Sequence, residues 1–317
     1  MKTLLLFVAV SALSHYPSFA QDGKMISTEE FRFADSTLIK MRTAFPEAGN
    51  IAGQISFSRI TYLSDGLKVK GFAAVPKKPG KYPCIIFNRG GNREFGAINE
   101  RMLLRFFGTV ASWGYIVVGS QYRGNDGGEG KEEFGGKDVN DVVNLVAVLG
   151  QIDKADTSRI GMYGWSRGGM MTYSALTKTN KIKAAVIGAG MANSFNTVKE
   201  RAEMETYVYA QLVPYYETNK KAALSARSAV DFADKICKTT PLLIMHGSSD
   251  WRVSPEQAFE MTRKLYDNKH PFRFVMFEGG DHGLKEYAEE VDRLARNFLD
   301  KYVRDKQPWP DMESHGD

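Results

Sequence analysis

Gly164-Trp165-Ser166-Arg167-Gly168 sets a serine where an apolar run, residues 160–163, gives way to a helix-compatible run through Met170, Met171, Tyr173, Ala175 and Leu176. Strand, sharp turn and helix form the context in which Gly-x-Ser-x-Gly presents a nucleophile. The glycines let strand and helix crowd together, and the turn holds the hydroxyl out at the strand's carboxyl end. The alternative in the same residues is a glycine-rich turn whose serine caps the helix. A serine attacks a carbonyl carbon only with a base in hydrogen-bond reach and an acid that orients the base.

Five histidines could be that base. His15 and His315 fall at the two ends of the chain, and His270 precedes Pro271 between a helix and a strand. His246 directly follows an apolar strand, where a core histidine is the commoner outcome. His282 lies in Gly279-Gly280-Asp281-His282-Gly283, after the last strand and before the last helix, and is the expected base. The acid should fall between serine and base in chain order. Asp250, in Gly247-Ser248-Ser249-Asp250-Trp251 after the strand at 242–245, fits that order. Asp281, the sequence neighbour of His282, is poorly placed to reach its Nδ1.

The tetrahedral intermediate needs hydrogen-bond donors for its oxyanion. The backbone N–H of Arg167 is one candidate, and the loop Asn88-Arg89-Gly90-Gly91 supplies the other, with Gly90 among its amides. Arg89, Arg167 and Arg252 all fall on loops at the carboxyl end of the sheet, where open α/β folds bind ligands. Arg89 is expected to face the cleft, donating to the oxyanion or holding an anionic substrate group. The alternative pairs these arginines with the loop acids Glu94, Asp126 or Glu129.

The elements that must position these residues alternate. Runs at 55–63 and 67–75 flank Ser64-Asp65-Gly66 and predict a hairpin. Strands are expected at 82–87, 115–119, 160–163, 182–187, 241–245 and 272–277. Between them, helical spacing joins Met102, Leu103, Phe106, Phe107, Val110 and Trp113, stopped by Gly114, and later Val139, Val142, Val143, Val146 and Leu149. Ser254-Pro255-Glu256-Gln257 opens another helix, with Ser254 as N-cap. A stripe from Leu284 to Leu299 marks the last one. The fold class is therefore α/β, a mostly parallel central sheet with helices on both faces. A helical insertion near residues 190–237, rich in aromatic and charged residues, interrupts the alternation. It caps the active site, forms an extra pair of surface helices, or does both. The glycine-rich acidic loop 123–136 fits no phosphate-loop register and reads as a solvated connection.

The chain has 317 residues, 43% of them apolar, enough for one large domain. Lys2, the apolar run 4–10 and Ser18-Phe19-Ala20 read as a signal peptide cut after Ala20, which implies a periplasmic or secreted protein without a stable membrane anchor. The organisation expected is signal peptide 1–20, N-terminal lead-in 21–54, catalytic domain 55–303 and tail 304–317. A formal charge of +5 without a long Lys/Arg run gives no sign of nucleic-acid binding. The two cysteines, Cys84 and Cys237, read as separate buried thiols. No metal-ligand cluster and no cofactor motif is present in the sequence, and the oligomeric state is not legible.

Gly164-Trp165-Ser166-Arg167-Gly168-Gly169, His246-Gly247-Ser248-Ser249-Asp250-Trp251-Arg252-Val253, Gly280-Asp281-His282-Gly283 and Tyr122-Arg123-Gly124 together resemble the catalytic domain of the prolyl oligopeptidase family of serine peptidases. The resemblance covers roughly residues 65–303. It implies an α/β-hydrolase fold, Ser166, Asp250 and His282 as a triad, and an acyl-enzyme route. It also implies that Phe195 and Val253 line the acyl pocket, beside Trp251 and Arg252 of the acid-bearing loop. Full-length members carry a β-propeller ahead of this domain, which residues 21–64 are too few to form. Members often place Tyr or His where Arg89 falls. The expectation is a peptidase-like hydrolase of short peptides or acylated amino acids. A carboxylic-ester hydrolase on the same triad is the alternative, and a non-catalytic binding protein a more distant one.

Overall fold

In the computed structural model, which describes residues 22–316, the short apolar runs are strands whose side chains divide by parity. In β4 (Tyr82–Asn88), Cys84 and Ile86 enter one core while Ile85 and Phe87 enter the other. β7 (Ile182–Gly188) and β8 (Leu242–Gly247) behave alike, with Ile187 and Ile244 on the first side and Val186 and Leu243 on the second. A period of two with both sets apolar is what a strand covered on both faces needs. Each such Ile or Phe contributes about 2 kcal/mol by leaving water.

The sheet has nine strands in the order β1-β2-β3-β5-β4-β6-β7-β8-β9. From β5 (Ile116–Ser120) to β9 (Phe272–Phe277) every neighbouring pair is parallel. β2 (Ile55–Ser64) and β3 (Leu67–Pro76) form the expected hairpin, whose turn residue Asp65 has φ +51°. β1 (Met25–Phe31), within the stretch read only as a lead-in, adds antiparallel to β2. The order in which strands are added reverses at β4 and β6 (Ala155–Trp165): from β4 the chain passes to β5 on one side, and from β6 to β7 on the other. Ligands bind at such a switch point, outside the carboxyl ends of the strands.

The expected signal peptide and its cleavage after Ala20 lie outside the described residues. No helix among the described residues is long and apolar enough to cross a membrane. Three local readings are corrected. The helix Glu256–Asp267 has no side-chain cap from Ser254; Gln257 instead turns its amide oxygen to the N–H groups of Ala192 and Asn193, both at 3.0 Å. Loop 123–136 is not simply solvated, because Asn125, Glu132 and Phe134 are buried within it. Cys84 is buried, but Cys237 is only partly so; both are free thiols.

His270 is sealed in the core and its Nε2–H donates to the Thr240 carbonyl at 2.9 Å. Burial pushes its pKa down to about 4, and the Lys238 charge adds to this against the Thr240 bond. An unfolded histidine protonates near 6.5. The native state, staying neutral, is therefore at full stability above that pH and loses stability as pH falls from about 6.5 towards 4, by about 3 kcal/mol in all. Urea midpoints at pH 7.5 and 4.5 should differ less in His270→Gln than in the parent. Equal losses in the two proteins would assign the acid sensitivity elsewhere.

Candidate active site

The turn after β6 is a strained elbow. Ser166 has φ +58° and ψ −124°, a region a non-glycine residue adopts only when its surroundings enforce it, at a cost of about 1–3 kcal/mol. Enforcement comes from both sides. The Ser166 N–H donates to Gly188 O at 2.9 Å, and the Ser166 carbonyl accepts from Gly169 and Met191. A Cβ on Gly168 would overlap the Asn88 carbonyl, and one on Gly164 would overlap Gly168 O, so only glycine permits this crossing of strand and helix. Ser166 stands at the N-cap position of the helix Arg167–Leu176, yet its side chain makes no capping bond. The capping alternative is thereby excluded.

Asp250 and His282 come together from the loops after β8 and β9. His282 Nδ1 lies 2.8 Å from Asp250 Oδ2. The other carboxylate oxygen accepts from the N–H groups of Arg252 (2.8 Å) and Val253 (3.0 Å). Burial raises the Asp250 pKa. Hydrogen bonds from His246 and His282, with the Val253 N–H, outweigh it and hold the carboxyl well below the usual carboxylate range. His246 is fully buried: its Nε2–H donates to Val253 O at 2.9 Å and lies 3.2 Å from Asp250 Oδ2, bracing the loop that carries the acid. Asp281 turns its carboxylate to the N–H of Gly283. Ser249 N donates to Gly280 O and Gly279 N to Ser248 Oγ, which stitches the two loops, and Trp165 Nε1 holds the His282 carbonyl at 2.8 Å.

Ser166 and His282 line one cavity of about 680 Å³. Gly90 is part of its wall, and a Cβ there would lie 3.2 Å from the Ser166 Cβ, so the loop after β4 runs directly over the serine. The Gly90 N–H has no hydrogen-bond partner among the described residues. The Arg167 N–H, at the first position of its helix, has no intrahelical acceptor. Two free backbone donors thus flank the hydroxyl. No cluster of three or more His, Cys, Asp or Glu suited to a metal occurs among the described residues.

The arginines depart from expectation. Arg89 does not face the cleft: it is fully buried and donates to carbonyls only, to Gln121 from Nε (3.1 Å) and Nη2 (2.8 Å), to Arg93 (3.0 Å) and to Gly90 (3.2 Å). Burial first, and then the charge of Arg167, push its pKa down to about 10. The Arg167 side chain is buried too, with Glu132 and Asp138 each at 2.6 Å and the Gly91 carbonyl at 2.9 Å. Neither arginine pairs with the loop acids named from sequence. Asp126 bonds Arg59, and Glu129 takes the Lys68 N–H. Arg252 does line the cavity, stacked over Trp251 and Phe95.

Val253 is in the cavity wall, but Phe195 is not; it packs half-buried against the core. Trp251 is exposed and outside the lining. Met191, Thr197, Arg201 and Met204, in or beside the insertion 190–237, form the wall instead, so that segment does border the site. Sequence reasoning missed these four and the acids Glu132 and Asp138. Their only signal was proximity to the elbow's exit and to an acidic loop.

A family model for the prolyl oligopeptidase family matches residues 105–306, which include the elbow, both loops and the insertion. The chain belongs to the prolyl oligopeptidase family. It is 31% identical over 207 residues to the uncharacterized peptidase YtmA of Bacillus subtilis, covering 65% of this chain and 78% of that one. It is 30% identical over 252 residues to the uncharacterized peptidase YuxL of the same organism, covering 75% and 37%. An acylaminoacyl peptidase of Pyrococcus horikoshii superposes with a TM-score of 0.70 at 21% identity, over 88% of this chain and 45% of that one. A Mycobacterium tuberculosis puromycin-hydrolyzing peptidase gives 0.65 at 24%, over 77% and 39%. The chain spans less than half of YuxL and of those two solved chains. The fold is the α/β-hydrolase fold of these peptidases, and the protein is a serine hydrolase of their family.

Arg89→Met should lower the urea-unfolding free energy by about 2–5 kcal/mol, because it strands buried carbonyls of Gln121, Arg93 and Gly90. Its effect on turnover should be the same for neutral and acidic substrates. A loss confined to acidic substrates would return Arg89 to the cleft.

Proposed function

We propose that this protein is an exported serine peptidase that cleaves short peptides or acylated amino acids through Ser166, His282 and Asp250. The observation that carries the reading is a strained serine opening into the same cavity as a histidine whose Nδ1 is held by a buried carboxylate. With Nδ1–H donating to Asp250, Nε2 is the unprotonated nitrogen and can take the Ser166 proton. Oγ bonds to the carbonyl carbon, and the oxyanion forms against the N–H groups of Gly90 and Arg167. His282 then hands the proton to the departing nitrogen, the C–N bond breaks and an acyl-serine remains. Water, deprotonated by the same imidazole, attacks the acyl carbon; the acid leaves and Ser166 recovers its proton.

Charge near the serine supports a blocked amino end. Arg201, paired with Glu203 at 2.8 Å, and Arg252, with no acid partner among the described residues, both line the cavity, so a free α-ammonium beside Arg252 would meet like charge. Acylated amino acids and internal peptide bonds carry no such charge. Export is the reading of Lys2, the apolar run 4–10 and Ser18-Phe19-Ala20. Hydrolysis of carboxylic esters is the second reading, favoured by a cavity lined largely by apolar side chains such as Met191, Met204 and Val253.

Ser166→Ala should remain folded, lose fluorophosphonate labelling and lose turnover by several orders of magnitude, since triad members act as a unit. Retained turnover would overturn the mechanism. N-acetyl-aminoacyl nitroanilides should be cleaved with higher kcat/KM than their free-amine counterparts. The reverse order would make the protein an aminopeptidase, and cleavage of nitrophenyl esters alone would make it an esterase.

A further inference from the structure

The cavity has two halves that belong to opposite faces of the sheet. Phe134, Met191 and Val253 on one side are members of the core that packs against the elbow helix. On the other side Phe87, Tyr163, Leu284 and Val291 are members of the second core, and Met102 and Phe106 pack against it. Ser166 stands between Trp165, which packs on the second core, and Arg167, which lies over Phe134 of the first. A single side-chain pocket would need only one half. At about 680 Å³ the whole is in the range of sites that enclose an entire small ligand.

Building on the serine-hydrolase reading, we infer that the second half receives the leaving group and selects an apolar one. The walls give the direction. Leu284, Ala288 and Val291 follow His282 within ten residues of chain and form one side of this half. His282 must protonate the departing atom, so the departing group lies against the wall that His282 heads. The acyl part then falls to the half bounded by Met191 and Val253. The floor is aromatic: Phe106 packs on Phe87 at 4.2 Å between centroids and edge-on to Tyr163 at 4.8 Å. Such surface gains by burying an apolar or aromatic group. Arg105 and Asp292, one of each sign, stand in the lining of this half, so it favours neither a cationic nor an anionic leaving group.

Ala288 and Met102 are both half-buried in the lining and come from different helices. Ala288→Trp and Met102→Trp would each fill this half from a separate element. Two substrate series test them in the intact chain. One keeps an N-acetyl-aminoacyl group and varies the leaving amine from glycinamide to leucinamide and phenylalaninamide. The other keeps glycinamide and varies the acyl residue. In the parent, kcat/KM should rise with the size of an apolar leaving group. In either variant the ratio for phenylalaninamide over glycinamide should fall about tenfold or more. The ranking across the acyl series should stay that of the parent. Fluorophosphonate labelling of Ser166 and the melting temperature report on nucleophile and fold in each variant. A variant that labels normally but keeps the parent's leaving-group ratio overturns the assignment. So does one whose acyl ranking changes instead, which would make this half the acyl pocket. If the parent labels at Ser166 but cleaves no member of either series or any ester, the hydrolase reading fails and takes this assignment with it.

Discussion

Everything at the carboxyl end of the sheet leans on one buried cation. The Arg167 guanidinium is buried, is held by two carboxylates and lies over the rings of Tyr122 and Phe134 at 4.7 and 4.6 Å. A charge removed from water is costly unless it is paired and hydrogen-bonded, and removing one partner of such a pair costs about 3–5 kcal/mol. The backbone N–H of the same residue is an oxyanion donor in the proposed mechanism. The ion cluster therefore fixes the donor's position through its own side chain. Glu132 carries the tie further, because it also accepts from the Arg93 N–H in the loop over Ser166. Glu132 comes from loop 123–136 and Asp138 from the N-cap of the helix that follows it, so the connection between β5 and the next helix braces the elbow of β6.

This explains what the sequence could and could not reveal. The elbow was legible because its constraints are local: glycine at 164 and 168 answers a clash between adjacent chain segments. The strands were legible because burial on both faces forces unbroken apolar runs, as at 84–87. Asp250 and His282 were legible by position, each just past a strand end. The partners of Arg89 and Arg167 were not, since they lie elsewhere in the chain and nothing local distinguishes Glu132, which is buried, from Glu129, which is exposed. β1 was missed for a related reason. An edge strand with mostly exposed side chains lacks the apolar alternation that marks a half-buried one.

The insertion shows the same limit from another side. Phe195 was expected in the pocket by family resemblance alone. The helix Ser194–Glu200, however, begins with Asn193 capping the N–H groups of Phe195 and Asn196, and this register sends Thr197 to the cavity and packs Phe195 on the core. Gln257 fixes that register from outside, through the N–H groups of Ala192 and Asn193 and the Thr197 hydroxyl. Which face of a short helix meets the ligand is thus decided by a polar residue on another helix.

Arg89 was expected from sequence to offer its side chain to the cleft. It turns away and ties together the carbonyls of Gly90, Arg93 and Gln121. The Tyr122 hydroxyl closes the arrangement by donating to the Arg89 carbonyl at 2.9 Å. With no side chain offered to the oxyanion from this position, the proposed hole rests on two backbone amides. Backbone amides stabilise a developing charge only if they are already aimed at it, because reorienting them during the reaction would consume the gain. A guanidinium that donates to several carbonyls of one loop supplies that fixed aim. Bracing thus replaces direct donation, and the rigidity of the 89–97 loop becomes part of the chemistry rather than a background to it.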